Sequence, residues 1–249
     1  MRDSNDLTYD FAIIGAGMAG ASLAAELAEL AGHARVLVLE AEDRPGYHAT
    51  GRSAAFWEEC YGGPGVVPLT LASGPYLRSR GFLSQSGALY IGRDEDAGLI
   101  DDFMQEFADS GVTIERLGAA QVAARVSGLK AEWTGGVWEP ACADIDVAGL
   151  HAHYLGIMSQ NGVKTVTRAR LAEASHSAAG WRLTTTAGEE FSAGTIINAA
   201  GAWADEVAQI AGAAPLGISP MRRTVAQLRV EPAPPRDLPL VLDIAGKFY

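Results

Sequence analysis

Residues 9–28, YDFAIIGAGMAGASLAAELA, combine a short apolar strand, a glycine-rich turn and the start of a helix. The strand is predicted over Tyr9–Ile14, and from Ala19 apolar residues recur at helical spacing through Leu30. A change from strand to helix within so few residues is typical of a β-α-β unit with a parallel sheet. The turn between them has the pattern G-x-G-x-x-G, formed by Gly15, Gly17 and Gly20.

This glycine spacing predicts a dinucleotide-binding turn. The first glycine permits a sharp turn, the second lets a pyrophosphate approach the backbone, and the third lets helix and strand pack closely. The helix N-terminus offers N–H groups to the phosphates. Glycine-rich turns also occur as purely structural corners, but here a second buried strand, Arg35–Leu39, ends at Glu40, where an acid can accept hydrogen bonds from a ribose.

Composition limits the possible partners and location. The 249 residues, 48% hydrophobic, can bury one large domain or two interleaved ones, and the net charge of −11 argues against nucleic acid and anionic lipid as partners. An apolar run over residues 11–25 resembles a signal segment, but acidic residues precede it and others interrupt it. We therefore expect a cytoplasmic protein without a membrane span. The acids that precede the apolar run are Asp3, Asp6 and Asp10, and those that interrupt it are Glu26 and Glu29.

Metal-binding and disulfide patterns are missing from the sequence. Cys60 and Cys142 form no C-x-x-C pair and no disulfide framework. His151 and His153 are two positions apart on a predicted helix, so their rings point to different sides. We predict no metal site.

The remaining chain is predicted to alternate helices and strands after a long loop at residues 41–65, which is rich in glycine, proline and small residues. A helix with Asp146 as its N-cap ends before Gly162. A second strand, tight turn and helix follow at residues 195–211, and the chain ends in a predicted strand. The other predicted helices are Pro68–Arg80 and Asp94–Ser110, capped by Gly111, and the other strands are Ala88–Ile91, Lys164–Arg168, Leu171–Ser175 and Trp181–Thr186.

Six segments together resemble the FAD-dependent D-amino-acid oxidase (DAO) superfamily, and within it bacterial D-arginine dehydrogenases and related amine-oxidising flavoproteins. The run T-G-R-S-A after the ribose acid makes the combination specific. The segments are GAGMAG (15–20), Glu40, PGYHATGRSAA (45–55), ADIDVAGL (143–150), NAAGAW (198–203) and PLGISPMRR (215–223).

The resemblance implies an α/β fold, with a Rossmann-like FAD-binding domain and an interleaved α+β substrate domain. We expect residues 1–72 and 140–212 in the FAD-binding domain, and residues 73–139 and 213–249 in the substrate domain. The family continues beyond the position of Tyr249. The substrate domain is therefore expected to be incomplete at its C-terminus.

The resemblance also implies FAD as the cofactor. His48 is near the position where some relatives attach flavin covalently, but the nearest-looking relatives do not, so non-covalent FAD is expected. Arg52 could instead be a surface charge and Trp203 a core residue. The expected FAD-binding residues are Gly15, Gly17, Met18, Ala19, Gly20, Glu40, His48, Thr50, Gly51, Arg52, Ser53, Ala54, Ala55, Ala169, Arg170, Ala200, Gly201 and Trp203.

For the substrate, the resemblance implies oxidation of a D-amino acid to its imino acid by hydride transfer to flavin N5. It places Arg223, Tyr61 and Tyr249 around the substrate carboxylate, although each could be an ordinary surface or packing residue. The D-arginine enzymes have an acid at the position of Ala88 and a histidine at that of Phe56, so a neutral, apolar side chain is expected here.

Several alternatives stay open. The same fold could oxidise a secondary amine, a 2-hydroxy acid or glycerol phosphate, or the chain could be a non-catalytic nucleotide-binding fragment. Glu58 or Glu59 could replace the acid missing at Ala88. The expected partners are a small-molecule substrate and an electron acceptor, and the sequence does not indicate whether that acceptor is oxygen or a quinone.

Overall fold

The computed structural model describes residues 8–222, 224–235 and 237–246. The chain divides into two compact units, and each is built from two segments. Unit 1 comprises residues 1–53 and 147–224, and unit 2 comprises residues 54–146 and 225–249. The unit boundaries follow Ser53 and Asp146, whereas the sequence-based boundaries were placed at residues 72 and 140. Which unit binds substrate stays a prediction.

Helices and strands alternate along most of the described chain. Short 3-10 helices cover Asp94–Asp96 and Gly201–Trp203. The strands are β1 Thr8–Ile14, β2 Val36–Leu39, β3 Phe56–Trp57, β4 Leu83–Gln85, β5 Ala88–Gly92, β6 Glu115–Gly118, β7 Gly135–Glu139, β8 Ala143–Ile145, β9 Lys164–Val166, β10 Leu171–Ser177, β11 Gly180–Thr185, β12 Glu190–Asn198 and β13 Leu240–Asp243. The helices are α1 Met18–Leu30, α2 Ala49–Arg52, α3 Val67–Ser79, α4 Ala97–Glu106, α5 Ala119–Arg125, α6 Val147–Gln160 and α7 Ala204–Ile210.

Unit 1 is built on a six-stranded sheet with the order β10-β11-β12-β1-β2-β9. The four strands from β12 to β9 are parallel, and β10, β11 and β12 pair in antiparallel fashion. Strand β1 lies between β12 and β2, so its C-terminal end is in the middle of the parallel part. This is the position at which sheets of this kind bind nucleotides.

Both faces of the unit 1 sheet are covered, because alternate residues of each strand point to opposite sides. Ile13 and Val38 pack on one side against small residues of α1, including Ala21, and against α6. On the other side, Ala12 and Leu37 belong to a cluster with Leu183 and Val207. The alanine-rich face of α1 lets the helix lie close to the sheet.

Unit 2 contains a four-stranded sheet with the order β13-β5-β7-β6 and a three-stranded antiparallel sheet with the order β3-β8-β4. Strands β5, β7 and β6 pair in antiparallel fashion, and β13 adds to β5 in parallel. Leu89 and Ile91 point to one face of β5, and Ala88 and Tyr90 to the other, where Val137 and Cys142 complete a second cluster.

The structure differs from the sequence prediction in several places. The loop at residues 41–65 contains α2 and β3, and the helix predicted over Asp94–Ser110 is a 3-10 turn followed by α4, which ends at Glu106. Strands β4, β6, β7 and β8 and helix α5 were not predicted. Strand β13 ends at Asp243, and the strand predicted at Tyr249 lies outside the described residues.

No helix in the described ranges is long and apolar enough to cross a membrane.

Between α7 and β13 the described residues form no helix or strand, and two backbone N–H groups near the start of this segment donate to one carboxylate. Asp205 accepts from Leu216 at 2.9 Å and from Ile218 at 2.7 Å. The α7 carboxylate therefore fixes the start of this segment.

Candidate functional site

Two glycines of the β1–α1 turn are held by close backbone contacts. Gly15 has a φ of +104°, which L side chains rarely adopt, and a Cβ there would lie 2.5 Å from the carbonyl oxygen of Ala199. A Cβ on Gly20 would overlap the carbonyl oxygen of Gly15. Both obstacles are backbone atoms, so no side-chain rotation relieves them. The turn therefore requires glycine at both positions and holds β1, α1 and the end of β12 together.

Glu40, the first residue after β2, is buried beside this turn, with 8% of its surface exposed. Its Oε2 accepts the N–H of Ala16 at 2.9 Å, and its Oε1 accepts the N–H of Glu42 at 2.9 Å. These two contacts fix the carboxylate in one orientation. A carboxylate offers about four acceptor positions, so two bonds leave capacity for further donors such as ribose hydroxyls.

Thr50, on α2, contacts the start of α1. Its Oγ1 accepts the N–H of Met18 at 2.9 Å, and a Cβ on Gly17 would lie 3.2 Å from that oxygen. The backbone of this loop is also tightly packed, because a Cβ on Gly51 would lie 2.5 Å from the carbonyl oxygen of Gly46. The predicted T-G-R-S-A segment therefore packs directly on the glycine-rich turn.

His151 is a site residue that sequence reasoning did not assign. It lies on α6, is 8% exposed, and its Nε2 is 3.0 Å from the carbonyl oxygen of Ala16. A carbonyl accepts, so this nitrogen carries the proton. Its ring also lies against Gly46, where a Cβ would come within 2.7 Å of the ring. The contact joins residues 135 positions apart, and no local pattern marks it.

His48 is at the centre of a small polar and aromatic group. Its Nε2 lies 2.8 Å from Oε1 of Glu42, and its ring is 4.5 Å from that of Trp203. Arg52, expected at a phosphate, lies over the ring of Tyr47, 5.4 Å from its centre. The structure thus brings His48 and Trp203 together, as expected for residues of one site.

Other predicted cofactor residues surround the same strand ends. Ala169 is buried, and its N–H donates to the backbone carbonyl of Glu40 at 2.8 Å. Arg170 extends toward Glu206, at 3.4 Å. After β12, Ala200 is half-buried and Gly201 is exposed at the start of the 3-10 turn before α7. Ser53 is exposed as well.

Two of the four predicted substrate residues can be described, and both lie in unit 2. Tyr61 is 64% exposed, in the segment between β3 and α3. Phe56, in β3, is half-buried and packs against the cluster that contains Ala88. Arg223 and Tyr249 lie outside the described residues. Ala54 and Ala55 directly precede Phe56.

The position at which the D-arginine enzymes have an acid, Ala88, is buried in the described chain. Ala88 has no exposed surface, and it lies directly opposite Glu139 in the antiparallel β5–β7 pair. Directly opposite residues project to the same face, so the Glu139 side chain occupies the space beside Ala88. An acid is therefore present on this face, supplied by the neighbouring strand.

Glu139 is one of three carboxyl groups buried together in unit 2. Its Oε1 accepts the N–H of Glu59 at 2.6 Å, and Oε1 of Glu58 accepts the hydroxyl of Tyr90. Burial raises the pKa of Glu139 to about 7 and also raises the pKa of Glu58 and of Glu59. Burial likewise raises the thiol pKa of Cys60, an effect that the charge of Glu139 increases.

Within the described ranges, no group of three or more histidine, cysteine, aspartate or glutamate side chains is arranged to hold a metal ion. Oε2 of Glu139 is buried and has no hydrogen-bond partner there. The bonds to these carboxyl groups come from backbone N–H groups and a tyrosine hydroxyl.

Comparisons with known proteins agree with this geometry. Among curated proteins, the chain is 25% identical over 223 residues to L-2-hydroxyglutarate dehydrogenase of Escherichia coli K12, which covers 83% of this chain and 51% of that protein. The chain thus spans about half the length of the curated relatives it matches.

Among solved structures, glycine oxidase from Geobacillus kaustophilus matches with a TM-score of 0.72 and 23% identity, over 83% of this chain and 59% of that one. The L-α-glycerophosphate oxidase from Mycoplasma pneumoniae, with FAD bound, matches with a TM-score of 0.74 and 18% identity, over 82% and 57%. At these identities the structures show a shared fold. Residues 10–249 match the family described as "DAO: FAD dependent oxidoreductase", and the chain belongs to this family of FAD-binding oxidoreductases.

Proposed function

We propose that this chain contributes the FAD site and part of the substrate site of an oxidoreductase that acts on a D-amino acid with an uncharged side chain. The observation that carries the proposal is the fixed Glu40 carboxylate beside the glycine-rich turn, in a chain of this flavin-dependent family. Oxidation of a small polar substrate is the chemistry that the family match supports.

The residues of unit 1 fit a dinucleotide. The backbone contacts at Gly15 and Gly20 leave no room for side chains, and the start of α1 has N–H groups without intrahelical partners. Glu40 would accept the ribose hydroxyls, and Ala169 would pack near the adenine. The group of His48 and Trp203 would lie along the remaining part of the cofactor. Non-covalent attachment is the form proposed.

The protein's part in the reaction is to bind and orient the substrate. Tyr61 would donate a hydrogen bond to the substrate carboxylate, and Arg223 would pair with it. Bound FAD would accept the hydride that leaves the substrate Cα. The nitrogen loses a proton, and water then hydrolyses the imino acid to a 2-oxo acid and ammonia.

A second candidate is the oxidation of a 2-hydroxy acid. It is favoured by the match to L-2-hydroxyglutarate dehydrogenase, whose substrate also has a carboxylate next to the oxidised carbon. A carboxylate clamp would serve both substrate classes equally. The two candidates differ in the heteroatom on the oxidised carbon, an amine nitrogen or a hydroxyl oxygen, which loses a proton as the carbon loses a hydride.

Anaerobic reduction of the flavin tests both candidates. The complete protein, expressed from its full reading frame, is first reconstituted with FAD, and bleaching is followed with D- and L-amino acids, both enantiomers of 2-hydroxyglutarate, proline, glycine and glycerol 3-phosphate. Fastest bleaching by D-leucine, D-methionine or D-phenylalanine supports the proposal, and fastest bleaching by D-arginine contradicts the uncharged side chain. Bleaching only by a hydroxy acid favours the second candidate. Peroxide formation against dye reduction then identifies the electron acceptor.

A further inference from the structure

The segment from Glu58 to Tyr61 joins a buried acidic cluster to a surface tyrosine. Glu58, Glu59 and Cys60 are each 9% exposed or less, whereas Tyr61 is 64% exposed. A turn links the two parts, because the N–H of Tyr61 donates to the carbonyl of Glu58 at 3.3 Å. The position of the tyrosine therefore depends on how the three preceding residues are held.

Glu139 holds this segment from a distant strand. It lies at the end of β7, has no exposed surface, and accepts the N–H of Glu59 at 2.6 Å across 80 residues of sequence. The amide and thiol of Cys60 also lie close enough to lower the pKa of this carboxyl. One side chain thus contacts two consecutive residues of the segment that precedes Tyr61.

The groups around Glu139 do not neutralise it by ion pairing. Glu58 faces it from the segment, Tyr90 from β5, and Cys142 from the turn before β8. Arg78 on α3 acts on Glu59. A buried carboxyl with an unpartnered oxygen destabilises a fold, and an apolar residue at this position would remove that cost. An apolar side chain, however, could not accept the backbone N–H of Glu59 as Glu139 does.

We propose that Glu139 is a positioning residue for Tyr61. It fixes the backbone of Glu59 and Cys60 and so sets where the tyrosine hydroxyl meets the substrate. The inference rests on the proposed function for the role of Tyr61. The anchoring of the segment itself does not depend on that function, and the two are tested separately.

Hydrogen exchange measures the anchoring without flavin or substrate. Glu139→Leu removes the acceptor, and we expect the peptide covering residues 58–63 to exchange at least about tenfold faster while the peptide covering β5 is unchanged. Glu139→Gln keeps an acceptor oxygen and should exchange within about twofold of wild type. Glu132→Gln, an exposed acid on the same unit, is the matched control. Glu139→Asp, which is shorter, is the second variant if the leucine variant does not fold, and it should also speed exchange in residues 58–63.

Steady-state kinetics then test whether the Glu139 contact affects substrate binding by Tyr61. We expect Glu139→Leu to raise the KM about tenfold with little change in kcat, as the loss of one charge-assisted hydrogen bond would. Glu139→Gln should restore most of the KM. Because both residues act through one contact, the KM effects of Glu139→Leu and Tyr61→Phe should not multiply in the double variant.

Several results would overturn the proposal. One is unchanged exchange in residues 58–63 of the leucine and aspartate variants, and another is equally faster exchange in β5, which indicates general destabilisation. Fully multiplicative KM effects would separate Glu139 from Tyr61. If no substrate bleaches the wild-type flavin, the proposed function fails, while the exchange result still decides whether Glu139 anchors the segment.

Discussion

Replacing Glu139 by Gln should stabilise the chain at pH 8 and have a much smaller effect at pH 5. The native pKa of Glu139 is about 7, against an ordinary value of 4.5, and burial is the main cause. The native state therefore holds a proton on this group over a pH range in which the unfolded state has lost it. Stability from this group is complete below pH 4.5 and is lost as the pH rises to about 7 and beyond.

The size of the effect follows from the shift. Each pKa unit corresponds to about 1.4 kcal/mol, so the difference between 4.5 and about 7 gives about 3 kcal/mol at pH 8. Glutamine has nearly the same shape and does not ionise. Any cost of fitting its amide into the cluster is the same at both pH values and cancels in the comparison.

Urea unfolding of the wild-type chain and of the glutamine variant, each at pH 5 and pH 8 and followed by tryptophan fluorescence, gives the four free energies of unfolding needed. We expect the glutamine variant to gain about 2.5 kcal/mol over wild type on going from pH 5 to pH 8, because the unfolded group is already mostly ionised at pH 5. Glu132→Gln, which changes an exposed side chain, should show less than about 0.5 kcal/mol of such a difference. A change below about 1 kcal/mol for the Glu139 variant would refute the reasoning.

Three further predictions concern the cofactor and substrate residues. Gly17→Val should abolish flavin retention through gel filtration, because its side chain would block the pyrophosphate and press on Thr50, whereas Gly32→Ala, whose Cβ would make only an ordinary 3.8 Å contact with the carbonyl oxygen of Ala28, should retain flavin. Thr50→Val, which leaves the Met18 N–H without its acceptor, should lower the free energy of unfolding by about 1 kcal/mol, and Thr50→Ser should not. Arg223→Met should raise the KM roughly ten- to a hundredfold, and an unchanged KM would remove Arg223 from the substrate site.

The first β-α-β unit could be predicted from the sequence because its signals are local. Strand β1, the glycine turn and α1 follow one another, and the apolar periodicity changes where the turn glycines lie. The short strands of unit 2 have no such signal. Strand β3 has two residues, and Phe56 pairs with Asp144 far along the chain, so its partner rather than its composition makes it a strand.

The candidate site likewise has residues that local sequence signals predict and residues that only distant contacts bring into place. The glycine turn and Glu40 were predicted because their residue types and spacing carry a physical requirement. The contacts of His151 with Ala16 and of Glu139 with Glu59 join residues 135 and 80 positions apart. Either residue could equally have been a surface side chain, and only the folded chain shows which atoms they reach.

The two N–H bonds to Glu40 also affect the entropy of nucleotide binding. A free glutamate samples many rotamers, and immobilising such a side chain on binding costs about 0.5–1.5 kcal/mol. Here the carboxylate is ordered before any ribose arrives, because the N–H groups of Ala16 and Glu42 fix both oxygens. The entropic cost of ordering this side chain is therefore part of the free energy of folding. A nucleotide that binds here avoids that cost and would gain up to about tenfold in affinity.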